Sequence, residues 1–182
     1  GNLLSYEKCG SISVETFKAS GITLEEYSKL LQYRKECMSM VLHFLSTKER
    51  KVVKYSLILN VEGATREHRY FLPHMKEQKS GVGSICSPAA WHKTYLVGVS
   101  PIAKLIYDIH TSTVGKRSQK TKLFSEKPSE ILQNSTIAAD FSPYLLPVEL
   151  GGKLSSQEAF DATHPCFASE SDLLYAKYKS TS

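Results

Sequence analysis

The apolar pattern predicts an α+β fold in a single domain. One long N-terminal helix, over about residues 24–46, packs on a small, mainly antiparallel sheet, and a short helix lies near the C-terminal end. Three observations predict this. Leu24, Tyr27, Leu31, Met38, Leu42 and Leu45 recur at three- and four-residue steps, the period of a helix face. Residues 53–61 alternate with period two, Val53, Tyr55, Leu57, Leu59 and Val61 facing one way. Glu62-Gly63-Ala64-Thr65 then offers a turn into a second apolar run at 66–72, which reads as the partner strand. With 41% hydrophobic and 23% charged residues in 182, the chain is composed like a globular domain, not a disordered one. Residues 1–10 read as a flexible, acylated tail, and 11–182 as the domain.

Taken in order, residues 11–17 set Ile12 and Val14 against Ser11, Ser13 and Glu15, a short strand. Thr23-Leu24-Glu25-Glu26 is a capping box that opens the long helix. Its second half, residues 38–45, is apolar nearly all round and reads as buried. Residues 74–88 read as a loop; its Gly81-Val82-Gly83-Ser84 lacks the order of a phosphate-cradling loop. Residues 94–100 form a compact strand stopped by Pro101, and 102–110 a second apolar segment, either strand or buried helix. Residues 111–127 form an exposed basic loop, with Lys116, Arg117, Lys120, Lys122 and Lys127 against Glu126. Pro128 starts a short helix over 129–133. Pro143 and Pro147 break the apolar run 141–150, so it lies extended over the core or against a neighbouring subunit. Gly151-Gly152 is a turn. Residues 169–179 close as a helix, with acids early and lysines late, as the helix dipole favours.

The chemistry is marked by what is missing. No apolar run approaches the roughly 18 residues of a transmembrane helix. Cys9, Cys37, Cys86 and Cys166 are scattered and read as free thiols in a reducing compartment. Cys86 with His92, and His164 with Cys166, lack the spacing of a zinc site. Nucleophile and zinc-hydrolase motifs are absent, and no cofactor motif is present. Asp108 and His110 share a face only if 102–110 is a strand. The expectation is a non-enzyme; its rival is a small enzyme using Cys86, His92 or His110.

A net charge of +5 and a pI near 8.9 suit anionic partners. Gly1 and Ser5 match the myristoylation pattern when an initiator Met precedes Gly1. Lys8 follows, and Cys9 is placed to accept a second acyl chain. The bland alternative is a glycine left by tag cleavage. One myristoyl chain binds bilayers marginally, so a second chain or a basic patch is required. Each Lys or Arg near an anionic leaflet adds about 1 kcal/mol. Lys116, Arg117, Lys120, Lys122 and Lys127 are the expected contacts to membrane or nucleic acid.

Trp91-His92-Lys93-Thr94-Tyr95-Leu96-Val97-Gly98, followed by Ala103-Lys104-Leu105-Ile106, resembles part of the core of rhabdovirus matrix proteins. The lysine-rich tail and Pro-rich budding motif usual in that family are not found here. The resemblance implies a small α+β protein that coats the inner membrane leaflet, self-associates and binds the nucleocapsid; RNA is a further expected partner. Together these features predict a myristoylated, matrix-type assembly protein on the cytoplasmic face of host membranes and in the virion. The alternative is an acylated regulator or effector that binds a cellular protein.

Overall fold

The computed structural model describes residues 3–72, 91–114 and 120–155. Contacts divide the chain into two compact units, Gly1–Glu126 and Lys127–Ser182. The first unit is an α/β arrangement. Its strands β1 (Leu3–Lys8), β2 (Tyr55–Asn60), β3 (Trp91–Val97) and β4 (Thr121–Leu123) form one sheet in the order β1-β2-β3-β4, every neighbour parallel. This overturns the expected α+β fold with its mainly antiparallel sheet. The physical reason shows in the β1–β2 connection, which carries two helices and returns the chain to the same end of the sheet, as parallel neighbours require.

β1 corrects the reading of residues 1–10 as a flexible tail. Leu3 to Lys8 pair residue for residue with Tyr55 to Asn60, and the Leu3 N–H donates to the Lys54 carbonyl at 2.8 Å. After β1, residues 11–17 form no strand. Ser13 caps helix α1 (Val14–Ala19), its hydroxyl accepting the Thr16 N–H at 3.1 Å. That local hydrogen bond outweighs the weak alternation of Ile12 and Val14.

Helix α2 (Leu24–Glu49) starts at the expected box: Thr23 accepts the Glu26 N–H, and the Glu26 carboxylate accepts the Thr23 N–H at 2.9 Å. It runs 26 residues, about 39 Å at 1.5 Å per residue, and ends on Arg50 in the left-handed region. Leu42 packs with Val53 and Tyr55, and Met38, Leu45, Leu3 and Leu57 complete the cluster. Burying each such side chain stabilises the fold by about 1.5–3 kcal/mol. Glu7 of β1 and Arg34 of α2 pair at 3.0 Å. So α2 covers the sheet face that carries Leu3, Tyr55 and Leu57. Residues 38–45 are not buried all round, however, because Met40 and Phe44 are exposed.

The segment 66–72 is no partner strand either. Arg66–Phe71 is a 3-10 turn whose start is tied by the Thr65 N–H donating to His68 Nδ1 at 3.0 Å. Phe71, Phe17 of α1 and Tyr27 of α2 meet edge-on or tilted, with centroids 5.2–5.9 Å apart, and join the turn to both helices. On the other sheet face Ile58, Tyr95 and Val97 are fully buried, and Tyr95 stacks on Phe124.

The described part of the second unit is a chain of short turns. A 3-10 turn (Pro128–Gln133) is followed by helix α4 (Ser135–Asp140, the fourth α-helix among the described residues), then the turns Pro143–Leu145 and Val148–Leu150. The expected extended segment at 141–150 is therefore coiled. Ile131, Ile137, Leu146 and Leu150 are buried. Gly151 adopts φ +74, and a side chain on Gly152 would collide with the Leu146 carbonyl, so the expected double-glycine turn is one only glycines fit. The helix expected at 169–179 and the loop at 74–88 lie outside the described residues.

Candidate membrane-contact surface

Helix α3 (Pro101–Val114) is built by the end of β3. Gly98 takes φ +69 and sits so close to Glu62 that a Cβ would approach the Glu62 Cβ to 2.9 Å. Ser100 then caps the helix: its hydroxyl accepts the Ala103 N–H at 3.1 Å, and its carbonyl accepts the Lys104 N–H at 2.8 Å. Pro101 follows at a position where its missing N–H costs nothing.

The segment 102–110 is thus helical, and Asp108 and His110 stand at i and i+2, positions that do not share a helix face. The strand on which their dyad depended is absent. Asp108 pairs instead with Lys104 at 2.7 Å. On α3 Ala103 is buried, while Ile102, Leu105 and Ile109 are exposed, Leu105 to 54%. These three lie at i, i+3 and i+7, one stripe along about 10 Å of helix at 1.5 Å per residue. The Lys104–Asp108 pair lies on a different face. Among the described residues no helix is long and apolar enough to cross a membrane.

Of the expected basic contacts, Lys120 is exposed, Lys122 is half-buried on β4, and Lys127 is exposed at the start of the second unit. Lys116 and Arg117 lie outside the described residues. The basic loop predicted at 111–127 is in part structure: its first residues end α3, and Thr121–Leu123 is β4. The chain therefore passes from the apolar stripe of α3, through Lys116 and Arg117 in sequence, to Lys120. Leu123 is exposed on β4.

The two expected lipid sites lie differently. Gly1 is outside the described residues, two positions before β1. Cys9 follows the other end of that strand, about 20 Å along at 3.3 Å per residue. The N–H groups of Cys9 and Gly10 both donate to the Asn60 carbonyl, at 2.9 and 3.0 Å. Burial, with help from Glu7 and opposition from Arg34, pushes the Cys9 thiol up to about 11. A thiol held neutral is a poor nucleophile. The same surroundings raise Tyr27, burial again being the first cause.

Among the described residues no three His, Cys, Asp or Glu side chains gather as metal ligands. Cys86, His164 and Cys166 lie outside them, and His92 sits on β3. Sequence reasoning named the basic residues and missed the apolar stripe that precedes them in the chain. The signal was present as Ile102, Leu105 and Ile109, but exposure depends on which elements cover a helix.

No protein-family profile and no curated protein matches the chain. Among solved structures it is similar to Sfh5, with a TM-score of 0.54 and 14% identity over 71% of this chain. The match spans 44% of the Sfh5 chain, less than half its length. At this identity the likeness bears on the fold alone, and it agrees with the parallel α/β sheet. The stretch 91–106, on which the matrix-protein resemblance rests, forms β3 and the first turns of α3.

Proposed function

We propose that this is a non-catalytic peripheral membrane protein that docks on an anionic leaflet through α3. The carrying observation is the exposed stripe Ile102, Leu105 and Ile109, followed directly in sequence by the basic run from Lys116 to Lys122. An interfacial helix needs both parts: apolar side chains that enter the headgroup boundary, and cations that meet anionic lipid. The basic residues then act as an extension of the apolar surface, and membrane contact does not depend on a second acyl chain at Cys9. A myristoyl group on Gly1 would add to this surface. A matrix-type assembly role further requires contacts between copies.

Vesicle flotation tests the reading. Full-length protein is expected to float with vesicles containing phosphatidylserine. Leu105→Glu replaces an exposed residue and so leaves the fold intact, which circular dichroism checks. It should reduce partitioning by tenfold or more, since burying one leucine is worth about 1.5–3 kcal/mol. Partitioning unchanged in Leu105→Glu would sink the reading.

A further inference from the structure

We propose that α2 carries a second, separate surface, through which two copies of this chain pair with their α2 helices antiparallel. The observation is independent of the reading of α3. Leu30, Tyr33, Met40 and Phe44 are exposed to 55%, 63%, 52% and 41%, and half-buried Cys37 lies between them. Their steps are three, four, three and four, the a/d spacing of a coiled-coil seam. The seam lies away from Met38, Leu42 and Leu45, which hold α2 to the sheet. Residues 38–45 are apolar nearly all round because this part of the helix serves two surfaces.

Charge identifies the occupant and its direction. The first turn of α2 carries Glu25 and Glu26, and its end carries Lys48, Arg50 and Lys51. A second copy laid antiparallel sets each acidic start against a basic end and opposes the two helix dipoles. A parallel copy sets like charge on like. Glu25 pairs with Lys29, and Lys51 with Glu49, but these are solvated pairs that rearrange at little cost. The antiparallel arrangement is self-complementary, as a two-fold dimer must be. In the register that seats each a residue on a d residue, Tyr33 faces Phe44 of the second copy and Cys37 faces Met40.

Sedimentation equilibrium of the full chain at micromolar concentrations tests this, with Met40→Glu and Leu105→Glu beside it. The expected mass is twice 20.3 kDa for the unaltered chain and for Leu105→Glu, and the monomer mass for Met40→Glu. A second readout is disulfide capture. Met40→Cys should crosslink through Cys37 of the other copy under mild oxidation, well ahead of Gln32→Cys, whose site lies off the seam. A monomer throughout overturns the proposal, as it would if a different protein covers this face. So does a dimer that survives Met40→Glu or dissociates on Leu105→Glu, or crosslinking no faster than in Gln32→Cys.

Discussion

At the residue scale, Cys9 shows how position in the sheet decides chemistry. Its thiol holds its proton to about 11 where the ordinary value is 9.0, because ionising it would bury a charge beside Glu7. The unfolded chain therefore gives up this proton first as pH rises. Below 9 the group has no effect on stability. Between 9 and 11 the unfolded state binds fewer protons than the folded one, so stability falls. Iodoacetamide at neutral pH is expected to leave Cys9 largely unmodified, with its labelling rate climbing through that window, as peptide mass mapping would follow. Rapid labelling of Cys9 at neutral pH would mean that the end of β1 opens readily. An acyl transfer to Cys9 faces the same barrier, since the thiolate is the attacking form. Nothing in Gly1 to Cys9 as a string revealed this. The residues that bury Cys9 come from elsewhere in the chain, and the carbonyl that fixes its backbone is that of Asn60.

At the scale of an element, α2 gives the clearest local control. Thr23→Ala removes the hydroxyl that accepts the Glu26 N–H, and is expected to cost about 1 kcal/mol. The backbone N–H and hydroxyl of Thr23 hold the Glu26 carboxyl below its ordinary value. The contribution of Glu26 is therefore present above the carboxyl's unfolded pKa and is lost as pH falls through the lower folded value. Thermal unfolding followed by helical circular dichroism should show a lower Tm in Thr23→Ala, by an amount that shrinks in acid. An equal deficit at all pH values would contradict the bond that the Thr23 hydroxyl donates to the Glu26 carboxylate at 2.8 Å. This element was legible because its start signal is four consecutive residues. β2 and β3 were legible for a similar reason, alternation being a local pattern. The direction of pairing was not. Gly63 does turn the chain, with φ +84, but Thr65 and His68 then close a 3-10 turn where a hairpin strand was predicted. Apolar content alone does not separate those outcomes over six residues. The exposed stripes on α2 and α3 were hidden for the opposite reason: each is an ordinary helix pattern until the neighbours that leave it bare are known.

At the scale of the whole molecule, the order of the strands brings together parts that sequence keeps far apart. All four strands run the same way, so Leu3 and Lys120 lead into β1 and β4 from the same end of the sheet. They are separated sideways by three strand spacings, about 14 Å at 4.8 Å each. Leu3 and Lys120 thus lie toward one end of the sheet, while Cys9 follows the other. Binding then has two components with different responses to salt. Ionic strength near 1 M shortens the screening length to about 3 Å and suppresses attraction between Lys120 and an anionic headgroup, but leaves the burial of Ile102, Leu105 and Ile109 intact or stronger. Partitioning onto phosphatidylserine vesicles should fall with salt to a plateau above zero. Lys120→Glu should lower the low-salt value, by about fivefold for each 1 kcal/mol lost, and leave the plateau where it was. Leu105→Glu should lower the plateau itself. Sedimentation with sucrose-loaded vesicles measures both. If high salt removes all binding of the unaltered chain, the apolar face of α3 contributes nothing, and only a diffuse attraction of a +5 protein for an anionic surface is left.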